Sequence, residues 1–322
     1  MMSGIMGMDV LWLDELITVS RLPEDNGSIP IEQCSRQGGG KVATALAAAG
    51  RLGVPCKLLA VAGDSGDSHF LVEDLERHGV DTSGIRVVPG YQEGFSVVLS
   101  DRASGGRRIF WHPGSEEGGL TQEDVEHAAP TLQSYQYLHL CRIDQLHLRA
   151  AEIARQAGVR VSFDADFYDA SINQALPLLD ILIGSEEFYQ NMFPNGGDFW
   201  ENIRTVAQAG PSTVIFTFGS KGCRGIADGR CFTVPAFTRQ IKVIDTVGAG
   251  DVFHGAYLAA LCMGLAGGEE AARFASAVSA LKCTAIGGRA GIPTRAMVEQ
   301  YLAGGDVEEE ETARRTAFYR RN

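Results

Sequence analysis

The sequence predicts a layered α/β fold, with a mostly parallel central sheet covered by helices on both faces and a small antiparallel β sheet set apart from it. Three observations carry that expectation: short, near-continuous apolar runs recur along the chain, amphipathic helical patterns separate them, and two long stretches break the alternation. Strands buried on both faces lose the apolar/polar alternation of a half-exposed sheet. Joining them in parallel requires a crossover, usually a helix, between each pair.

Residues 58–62 read as a buried strand, followed by a helix through residues 70–78 that Gly79 closes. Residues 137–141, 159–163, 180–183 and 213–216 repeat the strand pattern, with a helical stretch at 149–157 between the first two. Residues 223–227 and 231–235 form a hairpin pattern turning at Asp228-Gly229, a pair that tolerates the positive φ angles of tight hairpin turns. The stretches 17–37 and 91–112 contain alternating segments such as Phe95-Ser96-Val97-Val98-Leu99 and Arg108-Ile109-Phe110-Trp111 with no helix between them. They predict the separate sheet, placed as a lid. The expected division is a core of residues 1–16, 38–90 and 113–305, a β lid of residues 17–37 and 91–112, and a charged tail, 306–322, running as a solvated or frayed helix.

A chain of 322 residues can bury a sizeable core in one or two domains. With 28 Lys plus Arg against 40 Asp plus Glu, the net charge of −12 disfavours nucleic acid or an anionic membrane as the main partner. The 7 cysteines are scattered, without a CxxC pair or metal-like spacing to histidine, and read as reduced packing residues. The opening MMSGIMGMDVLWLDE has no basic start and meets acidic residues early, unlike a secretory signal. No apolar run approaches the ~20 residues that span a bilayer, so cytoplasm is the expected compartment.

The most informative segment is IDTVGAGDVF at 244–253, followed by the small, apolar HGAYLAALCMGL. A Gly-Ala-Gly turn opening a helix presents unpaired backbone N–H groups and the positive end of the helix dipole, which suits an anion. Asp251 in the first turn can cap that helix or take a proton, and on this segment alone the two readings stand level. Asp245, across the glycine turn, and two further glycine segments favour chemistry. One is QGGGKVATALA at 37–47, whose glycines permit close backbone approach to a ligand or act as a structural hinge. It lacks the GK[ST] of a Walker A loop and is not a GxGxxG after a strand. The other is TFGSKG at 217–222, following the strand-like TVIF, which reads as a tight turn or a nucleotide edge. His112, His139, His147 and His254 show no metal-like spacing and read as packing or surface residues.

Taken together, GGGKVATALAAAGRLG and DTVGAGDVFHGA resemble the two signature segments of the ribokinase, or phosphofructokinase-B, sugar kinases, and TFGSKG falls where that family contacts nucleotide. The resemblance runs from about Gly7 to Leu302. It implies a ribokinase-like three-layer α/β/α core with a small antiparallel β lid. It also implies ATP-dependent phosphorylation of a hydroxyl on a ketose, furanose or sugar phosphate. The base would be Asp251, with an anion hole from the backbone of Gly248, Ala249 and Gly250. Substrate hydroxyls would meet Asp14, with Asp9 as the alternative, and Gly39, Gly40 and Thr44, the last replacing a common Asn. Arg142, after the strand YLHLC, would meet a substrate group or simply be a surface charge.

ATP would lie against Thr217, Gly219, Gly222 and Gly250, with Glu186 as the remaining acid of the family's NxxE element. That element reads Ser185-Glu186-Glu187-Phe188 here, so Mg2+ is expected to be positioned through water and ATP. A K+ ion is implied near Asp245 and Val247, with Ala285, Gly287 and Gly291 from CTAIGGRAGIP, although Gly291 stands where some relatives use Ser. ALKCTAIGGRAGIP and DVFHGA look like the branch that includes sulfofructose kinases, but the lid does not supply the extra basic groups a sulfonate would want. A nucleoside kinase and a catalytically silent sugar- or nucleotide-binding protein are the alternatives. The expected partners are a small-molecule sugar and ATP, with homodimer formation through the exposed lid sheet.

Overall fold

The structure, a computed structural model, describes residues 3–104, 106–307 and 309–320. In chain order the strands are β1 (Ile5–Met8), β2 (Trp12–Val19), β3 (Gln33–Gly38), β4 (Cys56–Ala62), β5 (Val80–Asp81), β6 (Ile85–Val87), β7 (Gly94–Asp101) and β8 (Arg107–His112). They continue with β9 (Tyr137–Leu140), β10 (Arg160–Ala165), β11 (Ile181–Ser185), β12 (Thr213–Thr217), β13 (Cys223–Ala227) and β14 (Arg230–Val234).

The main sheet runs β14-β13-β12-β11-β10-β9-β1-β4-β5, with β6 added beside β4. From β12 to β5 every pairing is parallel, and the β13–β14 hairpin closes one edge antiparallel. Asp228 and Gly229 adopt the positive φ values, 47° and 77°, that the hairpin turn demands. The apolar runs are buried on both faces because each face has its own core. Tyr137, Ile181, Ile183 and Ile215 point to one side, and Leu138, Phe163, Leu182 and Phe216 to the other.

On the first side the helices Lys41–Arg51 and Ala249–Cys262 pack together. A Cβ on Gly255 would stand 1.9 Å from the carbonyl oxygen of Ala45, so the two backbones meet directly. That approach explains the small residues in both segments and places the two glycine turns side by side. Parallel strands all end along one edge of the sheet, and ligands in open α/β sheets bind in the crevice outside those ends.

The second sheet has the order β3-β2-β7-β8. Its outer pairs are antiparallel and its central β2–β7 pair is parallel. It begins at Trp12, earlier than expected, so residues 12–16 belong to this sheet rather than to the core. Leu16 and Val98 face the core side and pack with Ile286, while intervening residues are more exposed, which is the half-buried pattern of a covering sheet.

The tail also departs from expectation. Its helix Glu309–Tyr319 is docked, not solvated: Tyr319 is buried and its hydroxyl donates to Asp74, and Arg51 pairs with Glu311 at 2.9 Å. Arg315 reaches the carbonyl oxygens of Ile292 and Arg289. A charge run reads as solvent-facing, but here long basic side chains satisfy buried carbonyls. Among the described residues no helix is long and apolar enough to cross a membrane.

Candidate active site

The helix Ala249–Cys262 starts from Gly248, which has φ 73°. A Cβ there would come 2.8 Å from the Cα of Gly288, so the turn needs glycine for its conformation and for its neighbour. No side chain of the N-cap residue covers the helix start. Asp251 stands in this first turn. Burial, reinforced by the carboxylate of Asp164, pushes its pKa well above the usual range. The Lys41 ammonium opposes the shift, and Asp166 and Asp9 add to it.

Lys41, Asp164 and Asp166 are residues that the sequence reading missed. The Lys41 ammonium lies 2.8 Å from Asp166 Oδ2. Burial works against its charge, but Asp164, Asp166 and Asp251 outweigh that and raise its pKa. Asp164 is buried at the end of β10, and burial raises its pKa against the pull of Lys41 and His139. The available signal was FDAD: acids closing a buried strand at the ligand edge of an α/β sheet.

On the expected substrate side, Asp14 projects from β2 so that its Oδ2 lies 2.5 Å from where a Cβ on Gly39 would be. Burial pushes the Asp14 pKa up to about 6, with Arg289 and the Ser96 hydroxyl pulling it down. The alternative, Asp9, has both oxygens engaged: Oδ1 accepts from the Val10 amide and Oδ2 from the Val42 amide, each at 2.8 Å. Asp9 thus ties down the start of the helix Lys41–Arg51. Gly40, the N-cap of that helix, has φ 82°, and Thr44 is buried one turn on, beside Gly288. Arg142 is exposed just past β9, and its charge is felt by Asp9 and Tyr91.

Behind the glycine turn lies a buried cross-link. Arg289, 1% exposed, places Nη1 2.6 Å from Asp74 Oδ2 and Nη2 2.8 Å from the Gly39 carbonyl, while its amide donates to Gln37 Oε1 at 2.9 Å. With Tyr319 on Asp74, the C-terminal helix is linked through Asp74 and Arg289 to the Gly39 turn.

Thr217, Gly219, Gly222 and Gly250 line one cavity of about 360 Å³, together with Ala249. Phe253, Ile241 and Val243 give it apolar walls. Glu186 is not among its lining residues and forms an ion pair with Lys221 at 3.1 Å.

The potassium site does not form as expected. The carboxylate of Asp245 accepts from the Val247 amide at 2.9 Å and the Gly287 amide at 2.8 Å, knitting the loop. The main-chain oxygens of Asp245 and Val247 both accept from the ammonium of Lys282. Ala285 is buried, and a Cβ on Gly291 would stand 2.1 Å from the Lys282 carbonyl, so that position has no room for a side chain. Within the set Asp245, Val247, Ala285, Gly287 and Gly291, the Asp245 and Val247 carbonyls are thus taken by an ammonium and do not fit a bound K+ as they stand.

His139 and His254 meet Asp164 in the core, with potential ligand atoms within 4.8 Å of one another. Ligands of one tetrahedral zinc, at 2.0–2.1 Å from the metal, would lie only about 3.4 Å apart. Burial lowers both histidine pKa values to about 3, which keeps the rings neutral. His112 stacks on Phe95 at the surface and His147 hydrogen-bonds Asp144, as packing and surface roles require.

A sheet with a core on each face, a separate second sheet and a glycine-opened helix beside a cavity of about 360 Å³ make up a ribokinase-like fold. The profile of the pfkB family carbohydrate kinases matches residues 8–295, and the chain belongs to that family. It is similar to the ATP-dependent ribose-1-phosphate kinase of Halopiger xanaduensis, 29% identical over 302 residues that cover 90% of this chain and 95% of the relative. The fold matches that of Arabidopsis thaliana ribokinase complexed with ribose and ATP, with a TM-score of 0.78 at 23% identity over 94% of this chain and 99% of that one. It also matches a Burkholderia thailandensis nucleoside kinase in complex with inosine, with a TM-score of 0.75 at 20% identity over 94% and 99% of the two chains. The protein is an enzyme that phosphorylates an alcohol group.

Proposed function

We propose that the protein transfers the γ-phosphoryl group of ATP to a hydroxyl of a furanose, ketose or sugar phosphate, with Asp251 as general base. The observation that carries this reading is the position of Asp251. Its proton-seeking carboxylate stands on a helix start whose residues Ala249 and Gly250 line the nucleotide-sized cavity. The attacking hydroxyl gives its proton to Asp251. First-turn amides and the Lys41 ammonium then stabilise charge on the phosphoryl group in flight. Asp14 and the Gly39-Gly40 turn hold sugar hydroxyls, and the second sheet closes over them.

Magnesium, when bound, neutralises the phosphate oxygens, and Asp166 and Glu186 offer it hard oxygen contacts, directly or through water. Lys41 and Arg142 are cations suited to an anionic substituent on the sugar. The similarity to a ribose-1-phosphate kinase supports including sugar phosphates in the substrate class.

An ADP-release assay over ketoses, aldoses, sugar phosphates, sulfosugars and nucleosides tests the proposal. Turnover of about 1–100 s⁻¹ is expected with one sugar or sugar phosphate. Turnover with nucleosides alone would replace the substrate class. ATP binding without turnover on any member would leave a silent binding protein.

We also propose that two copies pair through the second sheet. Its edge strand β8 exposes Ile109, Phe110 and Trp111 at 53%, 58% and 67%, and such an edge invites another strand. Sedimentation should give a dimer for the parent and a monomer for Trp111→Glu; a monomeric parent defeats the pairing.

A further inference from the structure

Two main-chain carbonyls in the loop before the catalytic helix, those of Asp245 and Val247, converge on one side chain. The Lys282 ammonium donates to Asp245 O at 3.1 Å and also to Val247 O. Lys282 is 0% exposed and is the last residue of the helix Glu269–Lys282, so its stem is fixed by a packed element. Burying an ammonium group is costly unless acceptors surround it. The two carbonyls supply acceptors. Burial lowers the Lys282 pKa and Arg107 adds to that, while Cys283 and the Asp245 and Asp251 carboxylates oppose it.

Converging carbonyl oxygens are what a main chain offers a monovalent cation. An ammonium carries the same charge and donates up to three hydrogen bonds into the same oxygen cage. Gly291 fits this arrangement. A Cβ there would lie 2.1 Å from the Lys282 carbonyl and 3.1 Å from its Cα, so a serine side chain and this placement of Lys282 exclude each other. Lysine is present where a cation would sit, and a side-chain oxygen is absent where one would have helped to hold that cation.

We infer that the Lys282 ammonium is a built-in monovalent cation, holding the 245–248 loop against the catalytic helix and making the enzyme independent of potassium. The inference rests on the kinase reading above for its consequence in activity, but not for its consequence in ion binding. A tethered cation is always present, so the loop that sets the anion-binding turn is ordered without an ion from solution. Its function is therefore insensitive to the potassium level.

The test begins with the parent protein. At constant ionic strength, exchanging K+ for choline should change kcat/KM by less than about twofold and leave the melting temperature unmoved. Thallium(I), a potassium mimic followed by ²⁰⁵Tl NMR, should show no saturable site. Lys282→Ala opens the cage, and its activity should fall about ten- to a hundredfold in choline and recover in K+ or NH4+, with K+ raising its melting temperature. Saturable thallium binding by the parent, or activation of the parent more than about tenfold by K+, would overturn the inference. So would a Lys282→Ala variant fully active in choline. Should that variant fail to fold, the parent measurements decide alone. A parent that turns over no substrate defeats the kinase reading, while thallium binding and melting still decide the cation question.

Discussion

Asp251→Asn should lower kcat by about 10²–10⁴-fold and leave ATP affinity nearly unchanged. The substitution keeps size and hydrogen-bonding capacity at the first turn of the helix Ala249–Cys262 but removes the basic oxygen. ATP lies against Thr217, Gly219, Gly222 and the helix amides in the proposed arrangement, and none of these changes. Steady-state turnover in the ADP-release assay, paired with calorimetric ATP binding, separates the two effects. A near-normal kcat in Asp251→Asn, on a substrate the parent accepts, would remove the base from the mechanism.

Lys41→Met should cost about 10²-fold in kcat and move the acid limb of the pH–rate profile to higher pH. The base works only when ionised, so activity rises with pH through its pKa. Lys41 is the positive charge that opposes the upward push on Asp251 from burial and from Asp164, Asp166 and Asp9. Without it the Asp251 pKa climbs further, and the pH needed for ionisation climbs with it. Asp14, pushed up to about 6, adds a separate loss of sugar affinity as pH falls through that value. Lys41→Arg keeps the charge and should leave the acid limb close to that of the parent. Full pH–rate profiles of parent and both variants check this; an unshifted limb in Lys41→Met would place Lys41 outside the electrostatics of the base.

The sequence by itself determined the α/β alternation, the separate sheet, the three glycine segments and the place of Asp251 in the first turn of the helix that Gly248 opens. Each is a local pattern: a buried strand must be continuously apolar, and a helix opened by Gly248 must carry its glycine within a few residues of the acid it positions. The sequence already preferred Asp14 to Asp9 for the substrate side; the structure adds that the amides of Val10 and Val42 occupy the Asp9 oxygens.

What only the tertiary structure decided are pairings between residues far apart in the chain and common on surfaces. Lys41 meets Asp166, Tyr319 caps the buried Asp74–Arg289 pair, and His139 and His254 converge on Asp164. Lys282 is the sharpest case. In the sequence it is a basic residue in the last turn of a helix, the ordinary complement to the helix dipole. Only the packing of that helix against the 245–248 loop turns its ammonium inward onto two carbonyls. A periodic pattern records which face of an element is buried, but not which distant backbone oxygens that face will meet.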